Sequence, residues 1–144
     1  MLDAFAGVDH ILHAGDVGSD AVLTGLEALA PVTAVRGNVD AGLQRRLPDT
    51  AELELGGARV AVIHGNQLAR RSAAVAAARF PGADMVVFGH SHVPSVDRVE
   101  KTLAVNPGSA GQPRFGSAVT VALARVEDGH IDAQIVELGS RPRR

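Results

Sequence analysis

The chain of 144 residues contains no cysteine, no tryptophan and no tyrosine, and its aromatic share is 3%, supplied by four phenylalanines. Without cysteine there is no disulfide framework, no zinc ribbon and no thiolate nucleophile, so a metal site must be built from His, Asp, Glu and Asn. A reducing compartment suits such a chain, and the expected location is cytoplasmic. Without indole or phenol rings there is little on which bases could stack, and a formal net charge of -2 offers no basic face to follow a phosphate backbone. General nucleic-acid binding is therefore not expected. Long apolar runs are missing as well. None approaches the roughly 18 residues that read as a membrane span, and the N-terminus lacks the basic-then-apolar order of a signal peptide. No membrane partner is expected.

What is present suits one folded domain. The sequence is 46% hydrophobic and 21% charged, too apolar for a disordered chain and long enough to bury a core unaided. A single domain over residues 1–144, without a linker, is the expectation. Short apolar runs rich in Val and Ile cover 9–14, 32–36, 59–63 and 85–88, and each stops at a glycine-containing turn. Helix-like patterns lie between two pairs of them. One starts at Ser19 or Asp20 as cap and is ended by Pro31; the other is the Ala-rich stretch 72–80 before Pro81-Gly82. Strands alternating with helices point to a parallel sheet with crossovers. Further on, runs at 102–105, 118–126 and 131–138 follow, the last two joined around Asp128-Gly129, a strong hairpin signal. The fold class expected is α/β: a parallel front part and an antiparallel back part, forming two packed sheets with helices outside.

The informative fact is positional. Asp16, Asn38, His64, His90 and His92 all fall just beyond the last apolar residue of a run. Parallel sheets bind ligands outside the carboxyl ends of their strands. Four turns, each with a glycine that lets the backbone turn sharply, therefore bring five potential metal ligands to one edge. A carboxylate, an amide and three imidazoles suit Mn, Fe, Zn, Co or Ni better than Ca or Mg. A carboxylate can bridge two cations about 3.5 to 4 Å apart, a pair suited to holding a hydroxide and neutralising the phosphate it attacks. Metal-assisted phosphoester hydrolysis is the reaction class implied.

In order and spacing, Gly15-Asp16, Gly37-Asn38-Val39-Asp40, His64-Gly65 and Gly89-His90-Ser91-His92 resemble the motifs of the calcineurin-like metallophosphoesterases. Through Leu12-His13-Ala14-Gly15-Asp16, Val35-Arg36-Gly37-Asn38 and Asn106-Pro107-Gly108-Ser109 the sequence is similar to the small bacterial and archaeal phosphodiesterases of that superfamily. The resemblance implies a four-layer α/β/β/α sandwich and a dinuclear site, with Mn first among the expected metals and Fe, Ni, Zn or Co as alternatives. It makes Asp16 the bridging carboxylate, gives Asn38, His64 and His90 to one metal and His92 to the other, and leaves Asp40 to orient a ligand or water. Asn38 and Asp40 are the residues it would count as catalytic. The implied substrate is a small phosphoester, a diester before a monoester.

Two departures temper the resemblance. Many relatives carry His where this sequence has Val39, and that His is thought to act on the leaving group. The superfamily also begins with a strand ending in Asp-any-His, and no such motif is present: Asp3, Asp9 and His10 are the early candidates, and residues 1–7 read as the end of the following helix. The expectation is thus an N-terminally incomplete domain with its first strand missing. A start assigned too late, a chain lacking roughly twenty residues, or a natural shortening repaired by homo-oligomerisation would each account for it. A non-catalytic scaffold on the same fold, as in the retromer subunit of the superfamily, is the alternative function.

Other polar residues have plainer readings. His13 and His10 lie within an apolar run and are expected to be satisfied structurally, and His130 beside the hairpin turn to be exposed. Arg36 is as suited to a carboxylate as to a substrate phosphate. Asn106-Pro107-Gly108-Ser109 reads as a turn packed beneath the site. Pocket walls are assigned to loops at 41–48 and 93–101.

Overall fold

In a computed structural model of the chain, residues 5–15, 20–37, 47–65, 68, 72–91, 93–108 and 119–138 are described. The first unit is a parallel pair, β1 (Ile11–His13) and β2 (Val32–Ala34), joined by α1 (Asp20–Glu27). Helix α1 turns Leu23 and Leu26 inward at helical spacing, where they pack with Ala34 and Leu47 and with Ile11 and Ala30 respectively. Backbone pairing continues past both strands, from Ile11 N to Pro31 O (2.9 Å) and from Val35 N to His13 O (3.1 Å).

The second unit is a five-stranded sheet in the order β3 (Thr50–Leu55), β4 (Ala58–Ile63), β5 (Met85–Phe88), β7 (Thr102–Asn106), β6 (Ser95–Val99). Strands β4, β5 and β7 are parallel, and the edges β3 and β6 run antiparallel to their neighbours. Burial on both faces explains why the central strands read as continuous apolar runs. Val60, Val62, Met85, Val87, Leu103 and Val105 face one way, while Ala61, Ile63, Val86, Phe88 and Ala104 face the other. Helix α2 (Ala73–Arg79) covers the second face with Ala76 and Phe80, and its start is capped by Ser72 Oγ, which accepts from Val75 N at 3.3 Å. The first face is closed by Ile131, Ala122, Val126 and Ala133 of the hairpin formed by β8 (Thr120–Glu127) and β9 (His130–Glu137).

Packed sheets flanked by helices are thus what the chain forms. The hairpin turn is Asp128-Gly129, with φ of 52° and 77°, the all-positive turn that matches strand twist. Two elements escaped the sequence reading, and the division into a parallel front and antiparallel back was too clean. Strand β3 pairs with β4 across Gly56-Gly57, and β6, inside the supposed loop 93–101, pairs with β7 across Glu100-Lys101. Among the described residues no helix is long and apolar enough to cross a membrane.

Candidate metal centre

The carboxyl ends of β1, β2, β4 and β5 meet at one edge. Gly15, at φ +102°, allows the closest approach: a β-carbon there would lie 2.7 Å from His64 Nδ1 and 2.9 Å from Gly37 N. Those distances are below any real contact, so the residues that lead into Asp16 and Asn38 touch each other and His64 only because residue 15 is glycine. Strand β5 joins through Gly89 N, which donates to His64 O at 2.8 Å.

His64 is 2% exposed, and its Nδ1 lies 2.7 Å from Ala14 O. A carbonyl only accepts, so the proton of the neutral ring sits on Nδ1, and Nε2 presents a lone pair. This is how metal-binding imidazoles are usually oriented, through a backbone carbonyl that takes the other ring N–H. His64 Nε2 faces His90 Nδ1 at 3.1 Å, with the rings edge-on at 71° and centroids 4.9 Å apart. Two nitrogens each about 2.1 Å from one cation, at a right angle, stand about 3.0 Å apart. The observed pair therefore fits adjacent corners of a single coordination sphere.

His90 is held at φ +73°, and Ser91 N donates to Gly89 O at 2.9 Å. That bond skips one residue, so His90 is the centre of a γ-turn of positive φ, a rare and strained form. Strain of this kind costs on the order of 1–3 kcal/mol and persists only where surrounding contacts enforce it.

The structure thus brings His64 and His90 together. Asp16, Asn38, Asp40 and His92, with Val39, lie outside the described residues, and among the described residues no group of three or more His, Cys, Asp or Glu is assembled. The plainer readings of the other residues agree with the geometry. His10 Nε2 meets Thr33 Oγ1 at 2.8 Å, His13 Nδ1 accepts from Gly15 N at 3.2 Å, and His130 is exposed beside Asp132 at 3.7 Å. Arg36 is paired with Asp49. A pocket lined by Glu52, Glu54, Arg59, Pro81 and Gly82 lies at the opposite end of the five-stranded sheet, remote from both imidazoles. What the sequence reading undervalued is Asn106, whose side chain is buried beneath Ser91. Its one signal was the Asn-Pro-Gly turn following an apolar run.

The sequence pattern of the calcineurin-like phosphoesterase superfamily domain matches residues 1–129. A probable metallophosphoesterase of Methanothermobacter thermautotrophicus is 36% identical over 97% of this chain and 82% of its own length. In fold, the chain is similar to Vps29 of Entamoeba histolytica solved with zinc (TM-score 0.76, 22% identity, covering 96% of this chain and 88% of that one). It is also similar to an archaeal phosphodiesterase (TM-score 0.70, 21% identity, covering 94% and 87%). A match over most of its length, motifs in order and imidazoles paired at the strand ends agree: the chain belongs to the calcineurin-like phosphoesterase superfamily.

Proposed function

We propose that the protein hydrolyses small phosphoesters, diesters in preference to monoesters, at a site for two divalent cations built on His64 and His90. The observation that carries the reading is the 3.1 Å approach of His64 Nε2 to His90 Nδ1, with the His64 Nδ1 proton committed to Ala14 O. The two nitrogens meet at the ends of adjacent parallel strands. Asn38 would complete the first cation's shell, Asp16 would bridge to the second, and His92 would hold the second. Asp40 would orient a ligand or the attacking water. When bound, the cation pair would neutralise phosphate charge and lower the pKa of water; manganese suits the mixed N and O donor set, and Fe, Ni, Zn or Co are alternatives. With Val39 in place of a protonated side chain, proton transfer to the leaving group falls to solvent, which favours substrates whose leaving group is already stable as an anion.

Replacement of His90 by Ala is expected to abolish Mn-dependent hydrolysis of a chromogenic phosphodiester, as is a chelator added to the unaltered protein. Hydrolysis that survives both treatments would sink the assignment. A protein that takes up no divalent cation in a calorimetric titration would instead be the scaffold on this fold.

A further inference from the structure

We infer that Asn106 is a positioning residue for the metal centre, holding the strained His90 turn in place through the single oxygen of Ser91. The inference rests on the reading of His64 and His90 as metal ligands. It starts from the distribution of buried polar groups: among the described residues these are His64, Asn106 and Thr120, exposed by 2%, 1% and 3%. Buried polar side chains are costly unless fully bonded, so their gathering around one end of a sheet calls for a cause.

Asn106 closes β7, beside β5, and both ends of its amide are used. Oδ1 accepts from Gly108 N at 3.0 Å, and Nδ2 donates to Ser91 Oγ at 3.0 Å. The backbone N–H can only donate, which fixes the orientation of the amide and makes its NH2 face Ser91. Ser91 Oγ also accepts from Val93 N at 3.4 Å. One hydroxyl oxygen therefore ties the residues on either side of position 92 to the buried amide.

The tie sits where it is needed. Ser91 N closes the γ-turn on Gly89 O that holds His90 at φ +73°, a conformation that relaxes unless its neighbours prevent it. Asn106 is itself braced from behind. Thr120 Oγ1 donates to Pro107 O at 2.8 Å, and Gly108, at φ +78°, leaves room for that hydroxyl, since a β-carbon at Gly108 would collide with Thr120 Oγ1. The same β-carbon would crowd Pro94 Cβ at 3.1 Å, so the 106–108 turn packs against the far side of the loop that carries His90. The chain of contacts runs from Thr120 through Pro107 and Asn106 to Ser91 and His90.

The test uses Ser91→Ala, Ser91→Thr and the double variant Ser91→Ala/Asn106→Ala. Each is read by calorimetric Mn2+ titration, by the imidazole NMR signals of His64 and His90 in metal-free protein, and by the unfolding midpoint. Ser91→Ala should weaken Mn2+ binding on the order of tenfold and shift the His90 signals without metal, with little change in midpoint. Ser91→Thr, which keeps the oxygen, should restore both. The double variant should bind Mn2+ no more weakly than Ser91→Ala. Ser91→Ala protein that binds Mn2+ like the unaltered chain with unmoved His90 signals overturns the inference, as does Ser91→Thr no better than Ser91→Ala. An unaltered protein that takes up no Mn2+ overturns the metal reading itself, and the inference with it.

Discussion

The two ends of the parallel strands β4, β5 and β7 are built from the same backbone and solve opposite problems. At the amino ends the chain turns quickly and keeps its charges wet. Gly56-Gly57, at φ 58° and 84°, lead into β4, Glu100 at φ 54° leads into β7, and Arg59 N rests on the Asp84 carboxylate at 2.8 Å. At the carboxyl ends His64 and Asn106 are buried, the one described non-glycine residue with left-handed backbone is the imidazole-bearing His90, and each hydrogen bond restrains another. Left-handed backbone serves at one end to reverse direction and at the other to aim a side chain. A tight turn needs only residues that tolerate positive φ, whereas a ligand needs its orientation enforced by neighbours it did not grow beside.

The comparison can be broken most forcefully in the core that both ends share. Phe80, 4% exposed, fills the face between α2 and the sheet near the amino ends, and its truncation to Ala should cost about 3–5 kcal/mol of stability. Chemical denaturation measures that loss, and Mn2+ affinity of the folded fraction should not follow it. If affinity falls in step, the two ends are not separable. Gly15→Ala should be milder in stability and harsher in function. Strained φ and overlap with His64 predict a loss of about 1–3 kcal/mol, together with a clear drop in metal affinity, because the imidazole must move to admit the β-carbon. Normal metal binding by the Gly15→Ala variant would show that the close approach is not what aligns His64. The smallest effect is expected at Arg36, whose side chain is 31% exposed and paired with Asp49. Arg36→Ala should change stability by about 0–1 kcal/mol and leave KM for a phosphodiester unchanged; a raised KM would return this guanidinium to the substrate.

The regular elements were legible where their signals are local. Two-sided burial made 59–63 and 85–88 apolar almost throughout, and Asp128-Gly129 marked its hairpin through residues that accept the positive φ of its turn. Strand β3 was legible in principle, since Thr50–Leu55 alternates and Gly56-Gly57 follow it, although its outward Glu52 and Glu54 dilute the apolar signal. Strand β6 was not, because Glu100-Lys101 is poor turn chemistry that the pairing of Val99 with Thr102 imposes from outside. At the site, His64 and His90 were identified by their place after apolar runs, and the structure puts them together. Asn106 was read as a turn beneath the site, which understates it, since nothing near it in the chain announces that its amide meets Ser91.

What the sequence determined by itself is therefore the set of strands with strong period and turn chemistry, the family, and the place of His64 and His90 after their strands. These follow from interactions among residues a few positions apart. The tertiary structure decided which donors face one another and which ring nitrogen of His64 is turned to the backbone. His64 takes its tautomer from Ala14, 50 positions away, and Ser91 takes its anchor from Asn106, 15 positions away. Such contacts exist only once separate strands are brought side by side, and no local pattern encodes the distance between two ring nitrogens.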